Sequence, residues 1–185
     1  MKIKGTSLIV VPSFIKKKFG QEGLEKWLAA LSPDVRKIYT ELNKLCEWYP
    51  LEEVYLQPTQ IACDLFYDGD LRGAREFGRF DAENALNTVY RLFLKLGSPH
   101  FLIKKASTLF PTYYQGGEAE ITILEKKRSC MRISNFGKME KVNENTIAGW
   151  MERAMELSGA KNVKITPFQS LVEGRNVIDF FGEWE

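Results

Sequence analysis

The sequence has one histidine and three cysteines in 185 residues. Cys46, Cys63 and Cys130 are odd in number and widely scattered. They form no Cys-x-x-Cys pair, which excludes both a disulfide framework and a zinc knuckle. They read as buried free thiols. With His100 as the only imidazole, a Ser-His-Asp triad has one candidate base, and no residue pattern marks its partners. Charge of one sign is also missing. The net charge of +2 argues against a nucleic-acid partner. The longest apolar run near the start, Leu8 to Val11, is too short for a signal segment or a membrane span, so a cytoplasmic location is expected. No phosphate loop is present, because no Gly-Lys-Ser/Thr follows Gly116-Gly117. Asp68-Gly69-Asp70 hints at a calcium loop, but the twelfth position counted from Asp68 is Arg79 instead of a glutamate. No metal site and no enzymatic activity are expected.

What is present is an ordinary soluble composition, 44% hydrophobic and 27% charged, long enough for one full core. The stretch from Phe80 to Tyr114 organises it. Asp81 has the character of an N-cap. Ala82, Ala85, Leu86, Val89, Tyr90, Phe93 and Leu96 then recur at three-and-four spacing, one apolar stripe of a helix that Gly97 closes. Ser98 and Pro99 restart a helix as cap and first residue. Leu102, Ala106, Leu109 and Phe110 form its apolar face, and Pro111 stops it. Two apolar faces joined by a tight turn belong at the centre of a core.

The rest of the N-terminal half also reads as helix. Lys2 to Val11 is ambiguous: the β-branched residues suit a strand, whereas Thr6 or Ser7 suits a cap. Ser13 to Phe19 is helical and ends at Gly20; Leu24, Trp27, Leu28 and Leu31 mark a second helix. Ser32-Pro33-Asp34 begins a third, with cap, proline at N1 and an acid at the positive end of the dipole. Trp48-Tyr49-Pro50-Leu51 is a break. Thr59 to Tyr67 and Leu71 to Phe77 are short helices. Beyond Tyr113 the period changes to two over Ala119, Ile121 and Ile123, and Cys130, Met131 and Ile133 give a return strand. A helix from Asn143 or Asn145 to Gly159 follows, then strands from Val163 and from Val177 to Trp184. The expectation is an α+β fold of one domain, 1–185, helical over 1–112 and sheet-containing over 113–185. The helical half packs on a four-stranded antiparallel sheet in the order β-β-α-β-β.

The string GRFDAENALNTVYRLFLKLGSPHFLIKKASTLFPTYYQGGEAEI, with the opening KGTSLIVV…FGQEGLEKWLAALSPDVR and the closing IAGWMERAMELSGAKNV, resembles an uncharacterised bacterial family abundant in myxobacteria. That family is similar to the 4-vinyl-reductase-type domains, the NO-signalling haem domains (H-NOX) and the TRAPP subunits of Golgi transport. The resemblance implies helices on a four-stranded antiparallel sheet. Zinc-binding 4-vinyl-reductase relatives carry cysteines at the last hairpin, and here Thr166 to Glu185 holds none. H-NOX domains bind haem through a helical histidine and a Tyr-x-Ser-x-Arg strand motif. Here Arg128 matches the arginine, but Leu124 and Lys126 replace Tyr and Ser. Haem ligation by His100 is therefore set aside, and no cofactor, neither haem nor zinc, is expected.

The function expected is a non-enzymatic sensor or adaptor domain in bacterial signalling. The alternatives are a tetrapyrrole-related reductase accessory protein, a haem/NO sensor, and a TRAPP-like assembly subunit. The resemblance implies a small hydrophobic ligand between helices and sheet, in a space that Tyr90, Phe93, Leu94, Phe110, Tyr113, Tyr114 and Trp150 would line; the alternative is that these side chains simply fill it. A protein partner and a homodimer through helical surface are expected too. Phe14, Ile15, Phe19, Trp27, Leu28, Ile38 and Tyr39 exceed what one small core needs, and a twofold contact would cover them.

Overall fold

Strand β1 (Lys2–Lys4) opens the chain and sits at the middle of a small sheet. In the computed structural model, which describes residues 1–41, 45–87, 98–137, 139–172 and 175–185, Ile3 faces Tyr49 of β2 (Trp48–Pro50) on one side. On the other side it faces Tyr114 of β3 (Tyr114–Gln115). The ambiguous opening is thus strand and helix in succession. Helix α1 (Gly5–Leu8) follows at once, and no side chain caps it, so neither Thr6 nor Ser7 plays the expected role. Helix α2 (Val10–Ala30) is two segments joined at Gly20, whose φ of 74° interrupts the helical backbone where the sequence reading ends its first helix. Ser32 Oγ accepts from Val35 N at 3.4 Å and starts α3 (Pro33–Thr40) with Pro33 at N1.

A π-helical turn over Glu52–Leu56 runs directly into α4 (Gln57–Tyr67). Helix α5 (Arg72–Asn87) then passes without a break through Gly78 and Asp81. This corrects the reading of Asp81 as an N-cap. Gly78 does not end a helix; it lets α5 approach another backbone. A methyl at Gly78 would lie 1.9 Å from Thr146 O, and one at Gly149 would lie 2.0 Å from Arg75 O. Both glycines are needed for the crossing of α5 with the later helix α7 (Lys141–Leu157). Charge pairs lock it. Arg75 donates to both carboxylate oxygens of Glu152, at 3.0 and 2.6 Å, and to Ile165 O at 2.6 Å. Arg79 donates to Glu156 at 2.7 Å.

The expected continuation of the central stripe through Val89, Tyr90, Phe93, Leu94 and Leu96 to Gly97 lies outside the described residues. Helix α6 (Pro99–Tyr113) begins as expected, with Ser98 Oγ accepting from Phe101 N at 3.4 Å. Pro111 does not stop it; the helix carries the proline and ends two residues later. Strands β4 (Glu118–Leu124), β5 (Arg128–Ser134), β6 (Lys164–Val172) and β7 (Arg175–Glu183) form the main antiparallel sheet in the order β4-β5-β7-β6, with α7 between β5 and β6. The expected α+β architecture and its β-β-α-β-β half are what the chain adopts.

The residues expected to be surplus are not surplus. Ile15 and Trp27 are fully buried, Phe14 and Tyr39 nearly so, and Phe19, Leu28 and Ile38 pack against the same core. Trp27 Nε1 donates to Pro58 O at 2.9 Å, and Tyr39 Oη to Val54 O at 2.6 Å. Phe19 stacks on Phe66 at 4.2 Å between ring centres. The ground for a helical dimer contact is thereby lost: the early helices give these side chains to the main core, which runs on into the sheet through Met131, Ile133 and Phe180. Among the described residues, the two most exposed large apolar side chains are instead on the edge strand β6, where Phe168 and Leu171 are 59% and 71% exposed.

Candidate functional site

Where α5, α6 and α7 meet β5, the packing leaves a cavity of about 80 Å³. Phe110, Tyr113, Tyr114 and Trp150, four of the residues expected at the site, line it. Tyr90, Phe93 and Leu94, also expected there, lie outside the described residues. Phe110 stacks on Tyr114 at 4.9 Å, and Tyr113 meets Trp150 edge-on at 6.2 Å. Leu109, Met131, Ile147 and Met151 complete an apolar wall. Trp150 stands beside Gly149, so the crossing of α5 with α7 also sets its position.

The buried polar part of the lining is what the sequence reading missed. It consists of Ser7 from α1, Tyr55 from the π-helical turn and Asp81 from α5. All three are buried, at 3%, 2% and 7% exposure. Ser7 Oγ has no hydrogen-bond partner among the described residues. Burial alone pushes the Asp81 carboxyl up to about 7, with no cation and no hydrogen-bond donor from a described residue to offset it. Burial, and then the nearness of Tyr114 and Asp81, holds the Tyr55 phenol well above its ordinary range. Tyr114 is raised by burial and then by Asp81; its hydroxyl lies 3.4 Å from Asn143 Oδ1. Thr146, by contrast, is satisfied within its own helix by Val142 O at 2.9 Å. A helix read straight through Gly78 would have placed Ala74, Gly78, Asp81 and Ala85 on one face and shown a carboxylate on a stripe of small residues.

His100 is elsewhere. Its Nε2 donates to Glu125 O at 2.7 Å, and its ring meets Trp184 edge-on at 5.6 Å. Arg128 is on β5 beside Glu183, at 3.6 Å.

No protein-family model and no curated protein matches the chain. Solved structures do. An Fe(II) unliganded H-NOX protein from K. algicida superimposes with a TM-score of 0.72 at 12% identity, over 98% of this chain and 96% of that one. An H-NOX protein solved to probe the function of haem distortion gives 0.73 at 12%, over 98% and 95%. An oxygen-binding H-NOX domain related to soluble guanylate cyclases gives 0.69 at 11%, over 98% and 95%. The fold is that of H-NOX domains over almost the whole chain, which supports the H-NOX part of the resemblance.

These neighbours overturn the expectation of no cofactor as it bears on haem. The mismatch at Tyr-x-Ser-x-Arg argues against haem, yet haem is described for a neighbour on the scaffold that this chain adopts. Haem becomes the first group to test. As the cavity stands, its described residues do not fit one. Its volume is well below the roughly 300 Å³ at which cofactor pockets begin, and no histidine is among the described lining residues.

Proposed function

We propose that the chain is a non-catalytic sensing domain on the H-NOX scaffold, with occupancy of the cavity between α5, α6, α7 and β5 as its signal. One observation carries the reading. A chain with the H-NOX fold keeps, at the junction of its helices and its sheet, a cavity with a carboxyl that nothing described compensates. Packing alone selects against such a group, because a buried carboxyl without a donor or cation destabilises the fold. A group that arrives from outside gives it a purpose.

Two occupants have support. The neighbours favour a haem, and with it gas sensing. The cavity's size and lining favour a smaller organic molecule. The reductase-accessory and assembly-subunit readings draw on the resemblance alone. Titration of the purified protein with haemin, followed by absorbance, separates the two occupants. A Soret band distinct from free haemin and saturating at one equivalent supports the haem form. Its absence, together with a rise in Tm on adding small apolar molecules, supports the second. If neither haemin nor any small molecule binds, the sensing reading is wrong.

A further inference from the structure

We propose that the cavity is a receptor site for a small alkylammonium ion, held by Asp81 and an aromatic enclosure. The proposal rests on the small-molecule form of the reading above. Three observations carry it. First, Asp81 is 7% exposed, lines the cavity, and receives no hydrogen bond from a described residue. Second, no lysine, arginine or histidine is among the described lining residues, so the described lining has a single carboxyl and no cation of its own. Third, the wall around that acid is aromatic, with Tyr55, Phe110, Tyr113, Tyr114 and Trp150 presenting five rings. An ammonium suits both features. It supplies the charge and donors that a buried carboxylate lacks, and its alkyl groups and positive charge sit favourably on ring faces. Ser7 Oγ, buried and without a partner among the described residues, supplies a further acceptor on the lining.

The volume sets the size of the guest. At about 80 Å³ the space is about half that of an engineered cavity of ~150 Å³ that takes a benzene. The guest is therefore a short amine of roughly three to five non-hydrogen atoms. A neutral alcohol of the same shape fills the same space but leaves the carboxylate uncompensated.

Isobutylamine and isobutanol, matched in shape, test the proposal by NMR titration of the whole chain at pH 8. We expect the ammonium to bind at least tenfold more tightly than the alcohol. Asp81→Asn should abolish that preference while leaving alcohol binding intact. An unchanged amide spectrum of ligand-free Asp81→Asn away from the cavity checks that the loss is not general damage. If the alcohol binds as well as the amine, or if Asp81→Asn leaves the preference unchanged, the amine assignment falls while the cavity remains a ligand site. If neither molecule binds, both the assignment and the small-molecule reading fall, and only the haem form is left.

Discussion

Asp81→Asn has a consequence for stability that needs no ligand. In the folded chain burial lifts the carboxyl from its ordinary 3.8 to about 7. The folded state therefore holds its proton over a range in which the unfolded chain has lost it. A group raised in this way contributes stability that is complete below pH 3.8 and is lost as pH rises through 7. At about 1.36 kcal/mol per pH unit, the rise amounts to about 4 kcal/mol between the two limits. Asparagine has nearly the shape of the protonated acid and does not titrate. The variant should match the parent near pH 4 and exceed it by about 4 kcal/mol at pH 8 and above. Urea unfolding followed by tryptophan fluorescence, repeated from pH 4 to 8.5, measures this. Subtracting the two curves removes every other titrating group. A difference that stays flat with pH would show that Asp81 is already ionised and compensated in the folded state.

Two further predictions follow from the helix crossing. Gly78→Ala places a methyl 1.9 Å from Thr146 O and should destabilise by about 3 kcal/mol, read as a lower urea midpoint; a neutral effect would mean that α5 and α7 are not in backbone contact. Glu152→Ala strands Arg75, whose side chain is only 28% exposed, and should cost about 3 kcal/mol, with the Arg75→Ala double variant recovering part of it; equal effects in single and double variants would contradict the pairing.

Much of the fold was legible because its signals are local. Ser32-Pro33 and Ser98-Pro99 start helices through a cap and a proline that act within three residues. The alternation at Ala119 and Ile121 marks β4 for the same reason, but a register shift after Ile121 leaves Ile123 exposed and Leu124 half-buried, the reverse of the expected faces. The small sheet was not legible, since strands of two and three residues carry no period; what holds them is the pairing of Ile3 with Tyr49 and Tyr114, far apart in sequence. The site was half visible. Aromatic positions such as Phe110 and Trp150 announce themselves by spacing. Asp81 was misread because a glycine followed by an aspartate looks like the end of one helix and the start of the next. Only contact with α7, which begins 60 residues later at Lys141, explains why Gly78 stays helical. The supposed excess of apolar residues on the early helices was an error of the same kind: Trp27 and Tyr39 find partners in Pro58 and Val54, which no window around them contains.

The glycine crossing has a mechanical side. Side chains between two helices act as a soft layer, because they can change rotamer and absorb a small displacement. Between Gly78 and Thr146, and between Gly149 and Arg75, that layer is absent and backbone rests on backbone. The two helices are coupled there as stiffly as a lever is to its fulcrum. Asp81 is one turn along from that point, and Arg75 is bound to Ile165 O of β6 one turn the other way. A push on the carboxyl from inside the cavity would thus meet no soft layer at the contact, and the strand tied to Arg75 is the same edge strand on which Phe168 and Leu171 face the solvent.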